Sequence, residues 1–266
     1  MGEPLSIGEK HDLFTKWARE RGVKINGVAA ANFSDRGLGI AATRKIKVAL
    51  SESYAYLHRP LLTRVIQAGE EIVEVPFSVL LTIDSVPASL RDLHEGISVH
   101  GLLASFLAFG DPEDLHPYDP WTATWPSLQD LEQSMPILWP TTMTEATSSS
   151  CQLNGRNSSR HGYCPLPPDI SGRWHKVTSE NSPATLNSGL LAKQKRKFEK
   201  DWAKVLPAVH NADREKYLYY WILVNTRTFY HERPGMRKVK TPREDRLALC
   251  PFADYFNHAD ADDGVG

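Results

Sequence analysis

The chain has 266 residues, with 31 Lys and Arg against 32 Asp and Glu and a net charge of −1. Balanced charge argues against a sequence-independent nucleic-acid binder, which carries a large basic excess. No run of about 18 apolar residues exists, so no membrane span is expected, and Met1 to Lys10 lack the apolar centre of a secretory signal. At 41% apolar residues the chain can bury a real core. Its three cysteines, Cys151, Cys164 and Cys250, form no disulfide framework and suit a reducing compartment, cytoplasmic or nuclear.

Residues 9–21 read as an amphipathic helix with Leu13, Phe14, Trp17 and Ala18 on one face and Gly22 at its end. A β-like region follows: Ile25 to Phe33, a tight turn at Asp35-Arg36-Gly37, and Leu38 to Ala42. Two more strands are expected at Glu71 to Val75 and Val79 to Ile83, with Asp84 as the N-cap of a short helix beside Pro87. Val99, Leu102, Leu103, Phe106 and Leu107 mark a helix over 98–109. Residues 112–140, rich in Pro and Trp, read as a packed stretch without repetitive structure. Residues 141–187 lose periodicity and gain Ser, Asn and Pro, and they read as a disordered insertion. Helices are then expected over 188–206 and 212–229, and a strand from Arg246 to Phe252. The run from Lys193 to Lys200 reads as a solvated helix face. Short strands at both ends of a helical middle make the fold class α+β.

One block interrupts this order. Lys45-Ile46-Lys47 and Ala68-Gly69-Glu70-Glu71 would join as a single turn, yet residues 48–67 stand between them. A Val codon begins with GT and one Gln codon ends in AG, the two ends of an intron. A translated, unspliced intron and an ordinary loop insertion are both open readings.

Three blocks carry chemistry. The first is Asp35-Arg36-Gly37-Leu38-Gly39-Ile40, whose glycines tolerate unusual backbone angles and let a ligand approach closely. The second is Asn225-Thr226-Arg227, whose guanidinium can fork onto a carboxylate. The third is Phe252-Ala253-Asp254-Tyr255-Phe256-Asn257-His258. Alone, each has an ordinary reading: a hairpin turn, a helix-end arginine, a loop cap.

Together and in this order the blocks resemble the SET-domain branch of protein methyltransferases typified by Rubisco large-subunit and ribosomal-protein lysine methyltransferases, in which a helical insert splits the SET fold. The resemblance covers about residues 10–47, 68–140 and 188–262. It implies an N-terminal helix over 1–25, an N-terminal SET half over 26–90, an insert over 91–240, and the start of a C-terminal SET half over 241–266. It implies S-adenosylmethionine as cofactor, bound by Arg36, Gly37, Leu38, Arg227, Asn257 and His258. The main-chain carbonyls of Thr226 and Asp254 would orient the target amine. The family also uses a tyrosine downstream of Asn-His, and the residues given end at Gly266, so the expectation is a SET-type fold incomplete at its carboxyl end and weakly active. The activity implied is lysine methylation of a non-histone protein, with a ribosomal protein or translation factor as substrate by analogy. A non-catalytic interaction module and a protein-histidine methyltransferase are the alternatives. His161-x-x-Cys164 with Cys151 lacks a second ligand pair, so no metal is expected. Neither nucleic acid nor membrane is expected as a partner; substrate identity and oligomeric state are not legible.

Overall fold

The computed structural model describes residues 7–33, 37–45, 66, 69–93, 96–139, 183–231 and 246–256. Arg36, Asn257, His258, nearly all of the 48–67 block, Cys151, Cys164 and residues 141–182 of the expected insertion lie outside them. The chain is mixed helix and sheet, hence α+β. It falls into two compact units. One joins Met1–Leu93, Ser98–Trp125 and Tyr220–Gly266; the other joins His94–Ile97 and Pro126–Tyr219.

The first unit begins with helix α1 (Glu9–Glu20), which buries His11, Phe14, Trp17 and Ala18. The expected Leu13 is instead 54% exposed. At 100° per residue, position 11 falls with 14, 17 and 18, whereas 13 sits on the far edge of that stripe. Strand β1 (Lys24–Ile25) pairs antiparallel with β4 (Val73–Glu74), Lys24 opposite Glu74. Strands β2 (Val28–Phe33) and β3 (Gly37–Ala42) form a hairpin in which Phe33 faces Gly37 and Val28 faces Ala42. The first chemistry block therefore sits at a hairpin tip. Gly37 takes φ +70°, a left-handed angle that glycine adopts without penalty.

Strand β5 (Leu81–Thr82) is shorter than expected because 3-10 turns flank it at Phe77–Val79 and Ile83–Ser85. Thr82 caps the second of these turns, and Asp84 lies inside it rather than at the start of the helix expected beside Pro87. Thr82 Oγ1 accepts from the Asp84 N–H at 3.3 Å, and the Thr82 N–H donates to Ser85 Oγ at 3.1 Å. The short helix α2 (Ala88–Leu93) follows Pro87. Helix α3 (Val99–Phe109) is capped by Ser98, whose Oγ accepts from the Gly101 N–H at 3.0 Å, and is almost wholly buried. It stops at Gly110, where a Cβ would meet the Phe106 carbonyl at 2.5 Å.

The expected structureless stretch is in fact helical. It holds α4 (Pro112–Leu115), α5 (Asp119–Thr122) and, in the second unit, α6 (Leu128–Ser134). Proline opens the first two, where its missing N–H costs nothing. Ser127 and Asp130 close a reciprocal capping box on α6.

The long helix α7 (Pro183–Val205) begins earlier than expected, and Phe198, Asp201 and Val205 are buried on it. Lys193, Arg196, Lys197, Glu199 and Lys200 are exposed, as a solvated face requires. Helix α8 (Arg214–Arg227) is capped by Asp213, whose Oδ1 accepts from the Glu215 and Lys216 N–H groups. Its residues from Tyr220 onward belong to the first unit. There the chain turns into β6 (Thr228–Tyr230) rather than continuing as helix to Phe229.

Strand β7 (Leu247–Leu249) lies centrally in a three-stranded sheet ordered β5-β7-β6. Leu81 and Thr228 both face Leu249. Residues near 81 and near 249 are thus neighbours in one sheet although most of the chain lies between them. Among the described residues no helix is long and apolar enough to cross a membrane.

Candidate functional site

Strand β7 delivers the chain to Cys250 and Pro251 and then to a 3-10 turn, Ala253–Tyr255. Phe252 enters that turn at φ 70° and ψ −34°. A bulky side chain rarely adopts this conformation, which costs on the order of 1–3 kcal/mol unless its surroundings enforce it. Here they do. Phe252 is fully buried, 5.4 Å from the Tyr255 ring and 6.4 Å from the Phe14 ring. The buried ring fixes the strained residue, and the strained residue aims the turn.

The turn is held at two polar points. Trp121, at the middle of α5, donates its Nε1–H to Asp254 Oδ2 at 3.0 Å. His11, on α1, meets the Tyr255 hydroxyl through Nδ1 at 2.8 Å. Burial pushes the Tyr255 hydroxyl well above its ordinary value, so it stays protonated and can donate. Burial also lowers the His11 imidazole, with Lys10 adding to the effect. The neutral ring then accepts at Nδ1 and carries its proton on Nε2. Between the two points runs one aromatic cluster. Phe14 stacks on Trp121 at 6.4 Å and meets Tyr255 edge-on at 5.5 Å, and Trp121 meets Trp125 edge-on at 5.4 Å. Offset and edge arrangements of this kind add to the burial energy of the rings.

Arg227, the last residue of α8, reaches the same turn. Its Nη1–H groups lie 3.3 Å from Asp254 Oδ2 and 3.4 Å from the Asp254 carbonyl. Both are long hydrogen bonds. The guanidinium side chain is 21% exposed and the Asp254 side chain 1%. A helix C-terminus favours a cation, which also steadies Arg227 there. Burial raises the Asp254 carboxyl above its ordinary value, and Arg227 and the Trp121 N–H pull it back. Its second oxygen, Oδ1, is buried without a partner among the described residues. Cys250 is close enough that burial and the Asp254 charge push its thiol up to about 12, which leaves it an unreactive neutral thiol.

Of the residues singled out from sequence, Gly37 and Leu38 open strand β3, and β3 lies against the Ala253–Tyr255 turn. Thr226 is exposed near the end of α8, and its hydroxyl bonds to the Ile222 and Leu223 carbonyls at 2.9 and 3.1 Å. That hydroxyl serves the helix itself, while the main-chain carbonyls of a last helical turn have no partner within the helix. Arg36, Asn257 and His258 lie outside the described residues. Strand β3, Arg227 and the Ala253–Tyr255 turn thus come together within the first unit. Sequence reading missed His11 and the tether from Trp121. Among the described residues no group of three or more His, Cys, Asp or Glu could hold a metal ion. No family model matches the chain, and no curated protein matches it.

Proposed function

We propose that the chain is a protein methyltransferase of the SET type, acting on a lysine of a non-histone protein with S-adenosylmethionine as methyl donor. The observation that carries this reading is the convergence of three blocks far apart in sequence. The glycine hairpin strand β3 lies against the Ala253–Tyr255 turn, and Arg227 bonds to Asp254 of the same turn. Pairing of β5 with β7 supports it, since two halves of a split sheet would meet in this way.

Of the expected cofactor residues, Arg227 suits the group. Arg227 keeps a partly exposed guanidinium whose remaining N–H groups have no partner among the described residues. That is the donor set a methionyl carboxylate needs. When bound, S-adenosylmethionine supplies a methyl group made electrophilic by its sulfonium.

The chain's own residues do the rest. A lysine amine attacks only when neutral, and its free pKa is about 10.4. Apolar surroundings favour the neutral form by desolvation. The Thr226 and Asp254 carbonyls are acceptors that can take the amine's N–H groups and direct its lone pair, which is catalysis by positioning. The Asp254 carbonyl lies 3.4 Å from Arg227 Nη1, so the group that would hold the cofactor and the group that would orient the amine are adjacent.

Calorimetric titration with S-adenosylmethionine tests the reading. Saturable binding is expected, and Arg227→Ala should weaken it by about tenfold or more, the value of a charge-assisted pair. A wild-type chain that binds no S-adenosylmethionine would leave the interaction-module reading in its place. Transfer of labelled methyl groups to histidine instead of lysine in a protein mixture would overturn the choice of target.

A further inference from the structure

We propose that Trp121 is a positioning residue for cofactor binding, acting through Asp254 on Arg227. The proposal rests on the cofactor reading above. Asp254 is an expensive residue where it stands: a carboxyl with 1% of its side chain exposed, in surroundings that favour its neutral form. Only the anion can hold a guanidinium by charge. Two side chains stabilise that anion, the Arg227 guanidinium and the Trp121 indole N–H, beside the backbone of Asp254 itself.

The two side chains differ in rigidity. Arg227 sits at a helix end, partly exposed, with bonds of 3.3 and 3.4 Å. Trp121 is 1% exposed, and its ring is fixed by Phe14, Trp17 and Trp125 at 5.4 to 6.4 Å. It cannot swing, and its single N–H donates to Oδ2 at 3.0 Å. Oδ2 is also the carboxylate oxygen that Arg227 touches. The indole therefore fixes one oxygen in space, and the oxygen fixes the guanidinium. An arginine held in register loses less freedom when it grips a carboxylate, which improves affinity without any new contact to the ligand.

Other titratable groups near this carboxyl do not compete for the role. Burial keeps the Cys250 thiol and the Tyr255 hydroxyl neutral. His11 reaches only Tyr255 and is itself biased to its neutral form.

The test uses the full chain and four proteins: wild type, Trp121→Phe, Arg227→Lys and the double variant. Phe keeps an aromatic ring in the cluster and removes the N–H. Affinity for S-adenosylmethionine is measured by calorimetry from pH 5 to pH 8. Trp121→Phe is expected to weaken binding by about tenfold, the value of a hydrogen bond to a charged group. Its affinity should also fall off on acidification at a higher pH than wild type, because Asp254 then accepts a proton more readily. In the Arg227→Lys background the same change should cost less than about twofold, since the route through the guanidinium is already broken.

An unchanged affinity in Trp121→Phe overturns the proposal. So does a cost that is undiminished beside Arg227→Lys, which would mean general loosening of the core. Should Trp121→Phe fail to fold, the wild-type chain still decides. Its Trp121 indole N–H resonance should be protected from exchange and should shift as cofactor saturates; an unshifted resonance overturns the proposal. A wild-type chain that binds no S-adenosylmethionine overturns the functional reading, and this proposal with it. Wild-type binding with an indifferent Trp121→Phe overturns this proposal alone.

Discussion

Each unit has its own aromatic cluster, and the two end differently. In the first, Phe14, Trp17, Trp121, Phe252 and Tyr255 surround a turn that carries a buried carboxylate, an arginine contact and a backbone strained at Phe252. In the second, Tyr217 packs against Phe198 at 5.8 Å and Trp202 at 5.4 Å, on ordinary helical backbone. Arg214 lies over the Phe198 ring, 5.0 Å from its centre. Burial of the Tyr217 hydroxyl raises it so far that it stays neutral. Buried aromatic rings thus serve two purposes. One cluster closes a helix pair, and the other holds an unfavourable arrangement of charge and backbone that would relax without it. Strain retained against a tendency to relax points to a site; good packing alone does not.

The largest test of that contrast is a matched pair of truncations. Phe14→Ala and Phe198→Ala each remove a ring that is at most 2% exposed, and each should cost about 3–5 kcal/mol in urea denaturation. Their effects on S-adenosylmethionine should diverge: Phe14→Ala weakens binding strongly, and Phe198→Ala leaves it within about twofold, since its cluster touches no ligand group. Equal effects on binding would erase the distinction between the clusters. A smaller pair probes the helix starts. Ser98→Ala and Ser127→Ala each delete a cap, on α3 and α6, and each should cost about 1 kcal/mol of stability while neither alters cofactor affinity.

The ionisable groups of the first cluster predict opposite slopes with pH. The folded His11 imidazole lies below its ordinary value, so the unfolded chain binds more protons there. Stability should therefore rise with pH between that lowered value and the usual 6.5. The folded Asp254 carboxyl lies above its ordinary value, so the native chain binds more protons there. Its contribution should fall as pH rises from the usual 3.8 through the raised value. Thermal unfolding of His11→Gln should lose the first slope, and Asp254→Asn the second. A pH profile identical to wild type in either variant would contradict the burial assigned to that group.

The α+β class and the three blocks could be read from the sequence because they rest on local signals: periodicity, paired glycines, an arginine after a helical run. The clamp around the turn could not. His11 sits among charged residues, so an apolar stripe selects Leu13 in its place. Trp121 could be seen as a buried ring in need of an acceptor. Its acceptor lies 133 residues away, and no spacing rule connects them. The helices of 112–134 were missed because elements of four to seven residues are too short to show a period. Strand β5 was overdrawn because its flanking apolar residues belong to 3-10 turns, and hydropathy does not separate the two.

The smallest expected effect comes from removing residues 48–67, the block that interrupts β3 and β4. The chain leaves at Lys45 and is back at Ile66, whose N–H donates to the Lys45 carbonyl at 2.9 Å. Just outside, Arg44 and Glu70 form an ion pair at 3.1 Å, each about a fifth exposed. The block is thus pinched off at its base, and its excision should leave the β1–β4 and β2–β3 pairings in register. Two terms then oppose each other. Shortening the loop closed by that ion pair about fivefold favours the folded state by roughly 1.4 kcal/mol, because closure entropy grows with the logarithm of length. Ile66 is 8% exposed, so deleting it forfeits on the order of 2 kcal/mol of burial. The near cancellation predicts a melting temperature within about 5 °C of the full chain, with unchanged affinity for S-adenosylmethionine. A shortened chain that keeps both properties is what a retained intron requires, and sequencing of the mature message then decides between that origin and an ordinary loop. A shortened chain that unfolds, or loses its cofactor, shows instead that Ile66 and its neighbours belong to the core.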